Sequence, residues 1–399
     1  MPASLLARAA CIADLKKRAR RRVPRFAFDY LEGGCNEEIA IARNRSALDA
    51  IVMEPRYLED CAAPDLAVSL FGRRYDAPFG VAPVGLGGLI WPRVAEYLAE
   101  AAGRANIPFC LSTVATTSIE RAAELAGECL WFQLYTPTDS IIRDDLLDRA
   151  AAVGCRVLLV TIDVPGAAWR PRDLRNGLSV PPRFDLRTLL QIAARPVWAM
   201  AMLRAGIPQF DSIRPYMPRN VSMASSSVFT RATFTGGLDR EALAGIRDRW
   251  QGALVLKGVE TERDAELALQ LGAEGIVVSN HGGRQLDASR SPIEVLPQIR
   301  AAVGDRMVVL ADSGVESGAD IARMLAMGAV GVLAGRAFMY GVGGLGRAGA
   351  EHTIDILREE LARFMGQLRC SRPEELARHL PDAGRPGAAG QPARPQAVA

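Results

Sequence analysis

The sequence lacks the cysteine and histidine patterns that mark disulfide-stabilised and metal-binding proteins. Among 399 residues, the seven cysteines are odd in number and scattered, no two form a CxxC pair, and only three histidines are present. Such a set argues against a disulfide framework, a structural zinc site and a histidine-rich metal site, so we expect no metal. It is typical of a reducing compartment, and we expect a cytoplasmic protein.

The sequence also lacks a strong net charge and a long apolar run. Lys and Arg together number 48, and Asp and Glu together number 45, so the formal net charge is +3. A charge this small gives no overall electrostatic field that would attract nucleic acid. No uncharged apolar run of 18 residues exists, which argues against a membrane-spanning helix, and no secretory signal is evident. The length allows one large α/β domain or two smaller ones.

Two segments depart from this balance. The basic run at 16–22 (KKRARRR) suggests a targeting peptide, a contact with anionic lipid or a solvated helix face. We favour the helix face, because the folded-looking stretch at 26–31 follows directly. The apolar segment 189–207 contains Arg195, Pro196 and Arg204, so it is expected to lie at a membrane interface or to pack as a helical flap. A peripheral position on the inner face of a membrane is therefore open.

Short, continuous apolar runs alternate with amphipathic stretches through the middle of the chain. Continuous apolar runs are typical of strands buried on both faces, and Gly154, Gly272 and Gly328 stand where helices are expected to end. Thr261 and Ser317 are predicted helix caps. Eight strand–helix units predict an α/β fold, a (β/α)8 TIM barrel, with a doubly wound open sheet as the alternative. The predicted strands are 79–83, 109–111, 130–134, 157–162, 253–256, 275–279, 307–311 and 331–334, and the predicted helices are 93–105, 118–125, 139–153, 240–250, 262–271, 293–303 and 318–327.

The barrel prediction divides the chain into segments. Residues 1–70 are expected to form an N-terminal helical segment and lead-in, and residues 71–380 the barrel. A long insert, about 175–237, follows the fourth strand, and inserts of this size are usually lids or binding elements. The tail 381–399 is rich in Pro, Gly and Ala, which is typical of disorder.

The most informative segment is 279–287 (SNHGGRQLD), at the end of a predicted strand. His281 and Arg284 lie three residues apart, and two glycines between them let the backbone turn tightly. Such a turn can present a base and a cation to one small acid. The plainer alternative is a loop histidine beside a surface arginine.

Other predicted strands also end on polar residues. The C-terminal strand ends of a barrel meet at one mouth, where polar groups are costly unless they are paired or serve a ligand. Asp312 and Arg336 follow strands seven and eight, the phosphate-binding corner of many barrels. Lys257 is either a Schiff-base amine or a fixed charge beside an anionic cofactor, and Ser112 and Thr161 line the site or simply satisfy backbone.

These residues carry a resemblance to a known family. From about 13 to 380 the chain resembles the FMN-dependent α-hydroxy acid oxidases and dehydrogenases, which include glycolate oxidase, flavocytochrome lactate dehydrogenase and mandelate dehydrogenase. The motif SNHGGRQLD is highly specific for that family. Supporting matches are FDYLEGG at 28–34, WFQLY at 131–135, TIDVP at 161–165, LKG at 256–258, DSG at 312–314 and AGRA at 334–337.

The resemblance implies a role for each matching residue. His281 is the implied base, and Asp163 orients it and stabilises the imidazolium. Lys257 is implied near the flavin N1/O2 edge, where reduction creates negative charge. The implied substrate-binding residues are Tyr30, Arg170 and Arg284 for the carboxylate and Tyr135 for the hydroxyl. The implied FMN-binding residues are Val84, Gly85, Ser112, Gln133, Thr161 and Ser279 around the isoalloxazine, and Asp312, Gly314, Gly335 and Arg336 for ribityl and phosphate.

The implied reaction is oxidation of an (S)-2-hydroxy acid to a 2-oxo acid, with two electrons passing to FMN. Hydride transfer and carbanion formation both need the same residues and stay open. A quinone or a protein is the expected electron acceptor, with an oxidase that reduces O2 to H2O2 as the alternative. A homotetramer is implied. Outside this activity, a Lys257 Schiff-base aldolase and a catalytically silent ligand-binding relative are the competing hypotheses.

Several positions depart from the family pattern. Glu316 stands where the family usually has an arginine near the phosphate, so either its carboxylate faces solvent or FMN binds more weakly. Val114 and Ala167 stand where glycolate oxidase has a Trp and a Leu, so the pocket for the substrate side chain is expected to be larger. This predicts a bulky or aromatic substrate such as mandelate, with lactate as an open alternative. The alternative for the pocket itself is that residues of the long insert refill the space. Gly85, where family oxidases tend to have Ala, favours a dehydrogenase. In mandelate dehydrogenase the corresponding insert is a membrane-binding segment, and the resemblance implies that part for 189–207 here.

Overall fold

The structure, a computed structural model, describes residues 3–7, 9–58, 62–178, 185–217, 223–234 and 238–381. The predicted tail, apart from its first residue, lies outside these residues. The strands are β1 (Val68–Leu70), β2 (Arg73–Tyr75), β3 (Phe79–Val81), β4 (Phe109–Ser112), β5 (Leu130–Leu134), β6 (Val157–Thr161), β7 (Ala253–Val259), β8 (Gly275–Val278), β9 (Val308–Ala311) and β10 (Gly331–Ala334). The helices are α1 (Ala3–Leu6), α2 (Ile12–Arg22), α3 (Arg25–Glu32), α4 (Ile39–Ala50), α5 (Val94–Ala105), α6 (Ile119–Ala126), α7 (Ser140–Ala152), α8 (Pro171–Arg175), α9 (Leu186–Ala193), α10 (Pro196–Ala205), α11 (Met223–Phe234), α12 (Arg240–Arg249), α13 (Glu262–Gln270), α14 (Pro292–Val303), α15 (Gly318–Ala326), α16 (Arg336–Leu345) and α17 (Arg347–Leu368).

Strands β3 to β10 form a closed parallel barrel. Each strand pairs with the next along the chain, and β10 pairs back with β3, so that Val332 lies opposite Phe79. Closure removes both sheet edges and decides between the two predicted topologies. The prediction of a (β/α)8 barrel with an N-terminal helical segment and a long insert after the fourth barrel strand is confirmed.

The barrel strands are buried on both faces, as their continuous apolar sequences predicted. In β6, Val157 and Leu159 belong to the cluster inside the barrel, whereas Leu158 and Val160 belong to the larger cluster under the helices. Successive side chains of a strand point to opposite faces. Two apolar layers therefore require an unbroken apolar run.

The β1–β2 hairpin closes the N-terminal end of the barrel and was not predicted. Its Tyr75 hydroxyl accepts a hydrogen bond of 2.9 Å from the Trp131 indole N–H, and Phe71 packs edge-on against the same indole at 5.6 Å. The turn places Phe71 and Gly72 at positive φ. A Phe-Gly turn between three-residue strands lacks the Asn-Gly signal by which short hairpins are usually recognised.

The predicted helix ends agree with the structure. The Thr261 and Ser317 hydroxyls each accept a backbone N–H bond of 3.1 Å from the third residue of the following helix. Gly154, Gly272 and Gly328 have φ of +79°, +77° and +114°. These left-handed values suit glycine and explain why the helices end there.

The basic run forms most of α2, in agreement with the helix-face interpretation. Leu15 and Ala19 are buried on one side, whereas Arg20 and Arg21 are exposed on the other. Arg22 lies 4.3 Å from the centre of the Trp91 ring and donates to the Gly344 carbonyl at 2.7 Å. The run is thus fixed to the barrel on one face and presents cations on the other.

The apolar segment of the insert forms two helices, α9 and α10, which meet at Arg195. Trp198 is buried, packs edge-on against Phe26 at 5.9 Å and donates to the Ile90 carbonyl at 3.1 Å. The outer side of the pair, here called the apolar face, consists of Leu186, Leu189, Leu190, Val197, Met200, Leu203 and Ile207, all exposed. Among the described helices, none has the length and apolar character needed to cross a bilayer.

Candidate active site

The predicted strand-end residues converge on one cavity at the C-terminal mouth of the barrel. The cavity has a volume of about 320 Å³. It is lined by residues from the N-terminal helices, the barrel strands and the loops that follow them. The predicted residues among its lining are Tyr30, Val84, Gly85, Tyr135, Arg170, Lys257, His281, Arg284, Asp312, Gly314, Gly335 and Arg336.

The loop after β8 holds His281 in a conformation that few residues adopt. His281 has a φ of +55°, and Gly282 and Gly283 follow with +66° and +74°. A Cβ on Gly283 would lie 2.8 Å from the Ile41 backbone nitrogen, so glycine is required there. The Ser279 hydroxyl accepts the His281 backbone N–H at 3.1 Å. Backbone strain of this kind is concentrated at functional sites.

His281 is paired with Asp163 behind it. Its Nδ1 lies 2.9 Å from an Asp163 carboxylate oxygen. Gly258, with φ +105°, makes this approach possible, because a Cβ there would lie 2.5 Å from Asp163. Burial alone would raise the pKa of Asp163, but the His281 and Lys257 charges outweigh burial and lower it. Burial lowers the pKa of His281 although Asp163 opposes the change, so the imidazole is neutral near pH 7 and can act as a base.

Tyr135 faces the other ring nitrogen of the same histidine. Its hydroxyl lies 3.4 Å from His281 Nε2, and the two rings are nearly parallel. Burial raises the pKa of Tyr135 to about 12, so the phenol stays protonated. A hydroxyl group of a ligand placed here meets a base and a hydrogen-bond donor together.

Lys257 lies within β7, which extends to Val259, and not after its end as predicted. Its buried ammonium donates to the Ser279 hydroxyl at 2.9 Å and lies 3.3 Å from Asp312. Burial alone would lower the pKa of Lys257, but Asp312 and Asp163 raise it. A Schiff-base nucleophile needs a neutral amine, so the structure favours a fixed positive charge and opposes the aldolase hypothesis.

Two guanidinium groups also line the cavity. Arg284 donates to the Tyr30 and Gly33 carbonyls at 2.8 and 2.6 Å and lies 5.2 Å from the centre of the Tyr30 ring. Burial and the nearby Arg170 lower the pKa of Arg284 to about 9. Arg170 has a buried Nε without a hydrogen-bond partner among the described residues. Two adjacent cations with unused donors suit a carboxylate.

The predicted phosphate corner has mixed charge. Arg336 donates to the Leu31 carbonyl at 3.1 Å, and Glu316 borders the same cavity with 31% of its side chain exposed. Lys16 of α2 lies 3.7 Å from Glu316 and 2.7 Å from Glu32. Glu316 therefore does not simply face solvent, and two carboxylates offset the two cations of this corner.

Four predicted cofactor residues lie behind the cavity lining. The Gln133 amide donates to the Thr161 hydroxyl at 2.9 Å, and the Ser279 hydroxyl is occupied by Lys257. Gln133 Oε1 is buried without a partner among the described residues. Ser112 accepts the Val114 backbone N–H at 3.3 Å, which is the plainer backbone role considered for it. The free Gln133 oxygen is available to accept a hydrogen bond from a ligand.

The positioning residues of the His281 loop were missed in the sequence. Buried Asn44 and Asn280 exchange amide hydrogen bonds of 2.9 and 2.7 Å, and Asp287 accepts the Ala40 backbone N–H at 2.9 Å. A polar residue at the core position of α4 was the available signal for Asn44.

Of the two positions expected to enlarge the substrate pocket, Val114 lines the cavity, whereas Ala167 is exposed and outside its lining.

Comparison with known proteins agrees with this geometry. The model of the FMN-dependent dehydrogenase family matches residues 19–382. The chain belongs to this family. L-lactate dehydrogenase of Caulobacter vibrioides is 41% identical over 349 residues, which cover 87% of this chain and 91% of that protein. L-lactate dehydrogenase of Haemophilus influenzae is 39% identical over 350 residues, covering 88% and 92%.

Solved structures give the same result. A monotopic membrane protein, (S)-mandelate dehydrogenase, superposes with a TM-score of 0.89 and 34% identity, covering 93% of this chain and 98% of that one. A mandelate oxidase superposes with a TM-score of 0.79 and 34% identity, covering 92% and 97%. The family resemblance and the FMN prediction are confirmed, and the enzyme is an FMN-dependent oxidoreductase that acts on (S)-2-hydroxy acids.

The residues of the cavity fit a bound FMN. The unpartnered Gln133 oxygen suits a flavin N–H, and the buried Lys257 ammonium suits an anionic ring edge. Arg336 stands where a phosphate would need a cation. The carboxylate of Glu316, which borders the same cavity, opposes an anion there.

Proposed function

We propose that this dehydrogenase oxidises an (S)-2-hydroxy acid with a bulky or aromatic side chain, such as mandelate, and passes the electrons to a quinone or a protein acceptor. The observation that carries the proposal is that His281, Tyr135, Arg170 and Arg284 all line a single cavity. A 2-hydroxy acid can offer its hydroxyl group to His281 and Tyr135, and its carboxylate to the two arginines.

The two arginines bind and orient the substrate. Arg284 and Arg170 hold its carboxylate, and the Tyr30 hydroxyl completes the grip. Burial and, after it, repulsion from Arg170 lower the pKa of Arg284, and a bound carboxylate offsets both effects. The hydroxyl group of the substrate is then proposed to meet Tyr135 and His281, which line the same cavity.

His281 takes the proton. Its Nε2 faces the cavity while Asp163 holds Nδ1, so the base has one orientation and its charged form has a partner. Tyr135 donates to the substrate oxygen. The same residues can remove the hydroxyl proton of the substrate, as hydride transfer requires, or its α-proton, as carbanion formation requires. Both mechanisms are therefore compatible with the site.

Lys257 balances the charge of the reaction. Bound FMN supplies the two-electron acceptor for the oxidation. The buried ammonium lies beside the residues proposed to surround the flavin ring, where negative charge develops on reduction. Ser112, Gln133, Thr161, Ser279, Val84 and Gly85 are proposed around the ring, and Asp312, Gly314, Gly335 and Arg336 around ribityl and phosphate.

Small residues in the cavity lining support a large substrate. Val114, at a position where glycolate oxidase has a tryptophan, lines the cavity together with Gly85. Both residues are small, and the solved relatives include an enzyme named for mandelate. The curated relatives are named for lactate, so lactate is the second candidate.

The apolar face supports a peripheral membrane position. Its exposed side chains belong to two short helices and to Ile207, which follows them, and the similar (S)-mandelate dehydrogenase is described as monotopic. An amphipathic helix pair of this kind lies in the interface plane of a membrane. We propose contact with the inner face of the membrane through 189–207 and, from the family resemblance, a homotetramer.

The test is anaerobic bleaching of the bound flavin by a panel of 2-hydroxy acids. We expect mandelate to bleach the protein faster than lactate or glycolate, and we expect slow recovery of colour in air and fast recovery with a soluble quinone. His281→Gln is expected to keep its FMN and to lose bleaching by about 10²- to 10⁴-fold. Fast recovery in air would instead favour the oxidase. An FMN-loaded protein that no 2-hydroxy acid bleaches contradicts the proposal.

A further inference from the structure

A second cavity, of about 930 Å³, lies outside the active site and is lined mainly by cations. We call it the basic cavity. Its walls come from α2, α3, α8 and α9 and from the residue before α10. The cations that line it are Lys17, Arg20, Arg21, Arg25, Arg172, Arg175, Arg187 and Arg195, and Phe28, Asp29 and Asn176 complete the lining. The lining contains eight cations and one carboxylate, and of the cations Lys17 also lies 3.8 Å from Asp14, so most of the positive charge is left to attract an anion.

Most of these cations are not neutralised by the protein. Asp29 is 3.3 Å from Arg25 and also accepts from Asn176 at 2.9 Å, and Arg172 is paired with Glu38. The remaining arginines have no carboxylate oxygen within 4.0 Å in the part of the chain that the structure describes; they are Arg20, Arg21, Arg175, Arg187 and Arg195. Mutual repulsion among them would fall if an anion entered.

The basic cavity lies at the rim of the apolar face. Arg187 stands between the exposed Leu186 and Leu189 on α9, and Arg195 directly precedes α10, which carries the exposed Val197. A ligand with an anionic group and an apolar chain therefore finds both of its partners side by side. A membrane phospholipid has this composition.

The walls of the basic cavity are held together by contacts away from the cations. The Phe26 backbone N–H donates to the Gln191 side chain at 2.9 Å, and Trp198 packs on Phe26. These contacts join α9 and α10 to α3. The arginines of the insert and those of the N-terminal helices thus face one another across a preformed space.

We propose that the basic cavity binds the phosphate group of an anionic phospholipid and thereby gives the enzyme its preference for anionic membranes. The apolar face supplies adhesion to any bilayer, and the cavity supplies the selection. Guanidinium groups suit this role, because they bind phosphate oxygens through paired N–H donors. The inference rests on the proposed membrane contact and is independent of the flavin chemistry.

The experiment compares binding of the FMN-loaded full chain to vesicles of phosphatidylcholine alone and to vesicles that also contain phosphatidylglycerol. The cavity variant is Arg175→Gln with Arg187→Gln, two exposed residues outside the active site. Its control is Arg74→Gln with Arg156→Gln, which removes the same charge at the far end of the barrel. Leu189→Ser with Leu203→Ser tests the apolar face, and anaerobic bleaching by a 2-hydroxy acid shows that each variant is intact.

Wild-type protein and the control are expected to prefer the anionic vesicles by about 30-fold or more, since each basic residue near an anionic surface contributes roughly fivefold. The cavity variant is expected to lose about 30-fold of this preference while its binding to neutral vesicles and its bleaching stay unchanged. The apolar-face variant is expected to bind both vesicles more weakly and to keep the preference.

Four results would overturn the inference. An unchanged preference in the cavity variant, or an equal loss in the control, would show that the cavity has no special role. Inorganic phosphate or glycerol phosphate that binds as tightly as the vesicles, with the same dependence on Arg175 and Arg187, would assign the cavity to a free anion. Absence of binding to every vesicle would remove the membrane contact as well, whereas failed bleaching alone would count against the proposed reaction only.

Discussion

His281 combines a costly backbone conformation with a restricted side chain. Its φ of +55° is rare for a non-glycine residue, and the bond to Asp163 leaves only Nε2 facing the cavity. The hydrogen bonds of the loop offset the cost of this conformation. The result is a base whose orientation does not depend on the substrate.

The pairing with Asp163 leads to a prediction about pH. The carboxylate raises the pKa of His281 against the larger effect of burial, so its removal in Asp163→Asn must lower that pKa further. The acidic limb of kcat/KM is expected to move to lower pH, and flavin reduction is expected to fall by about 10²- to 10⁴-fold because the imidazolium loses its partner. Stopped-flow bleaching from about pH 5 to pH 8 measures both.

Asp173→Asn is the matched control for that experiment. Asp173 is a buried carboxyl near Arg284, and it has no bond to His281. It is expected to leave the acidic limb in place. A limb that moves equally in both variants, or in neither, would mean that Asp163 does not set the pKa of the base.

Glu316 leads to a prediction about FMN affinity. It adds a carboxylate to the corner that contains Arg336, so Glu316→Arg is expected to tighten FMN binding by about 10- to 100-fold, or roughly 1.4 to 2.8 kcal/mol. The FMN affinity of Glu316→Gln is expected to lie between those of wild type and Glu316→Arg. Titration of the apoprotein, followed by flavin fluorescence, gives the dissociation constants.

Riboflavin provides the control for this effect, because it lacks the phosphate. Its affinity is expected to stay the same in all three proteins. If both flavins tighten together, Glu316 acts on something other than the phosphate. If neither changes, the phosphate lies elsewhere in the cavity.

At the scale of elements, α9 and α10 divide their apolar residues between two tasks. Trp198 is 5% exposed and holds the pair against α3, whereas Leu203 is 79% exposed. Both are apolar residues of one helix. Only their surroundings distinguish a packing residue from a docking residue.

This division leads to a prediction about stability. Trp198→Ala removes a buried aromatic ring and is expected to cost about 3 to 5 kcal/mol. Leu203→Ala is expected to change the free energy of unfolding by less than about 0.5 kcal/mol. Urea denaturation at neutral pH measures both, and a large loss in Leu203→Ala would show that the apolar face is packed against the protein.

At the scale of the whole molecule, the stability of the barrel is coupled to pH through a group near the active site. Glu260 follows β7, and burial, with the charge of Asp163, raises its pKa to about 7 from an ordinary value of 4.5. The folded protein therefore holds this proton more tightly than the unfolded chain. The resulting stability is complete below pH 4.5 and is lost as pH rises through about 7.

Glu260→Gln is expected to remove this loss. The free energy of unfolding of the variant, relative to that of wild type, should rise by about 1 to 2 kcal/mol between acidic and neutral pH. This figure has been reduced because part of the side chain is exposed and its charge is screened by solvent. Denaturation curves at about pH 4.5 and about pH 8 measure the difference, with the exposed Glu266→Gln as control. A gain that is equal at both pH values would mean that Glu260 is ionised normally in the folded protein.

Much of the barrel could be predicted because its signals are local. Eight apolar runs, two hydroxyl caps and three terminal glycines each depend on a few neighbouring residues, and the structure agrees with them. The β1–β2 hairpin was missed because its strands are short and its turn has no standard sequence. The sequence predicted that Lys257 follows its strand, because a charged residue is rare in a buried strand unless it is paired. Its partner Asp312 is distant in sequence, so the pairing could not be recognised.

The sequence by itself determined the family, the barrel, the cofactor and the residues that gather at the mouth, since these follow from local patterns and a specific motif. Only the tertiary structure decided which charges face one another. Lys16 meets Glu316, and the arginines of α2 share a cavity with Arg187 of α9, across long stretches of chain. Electrostatic energy depends on distance in space and on burial, and neither can be read from the order of residues.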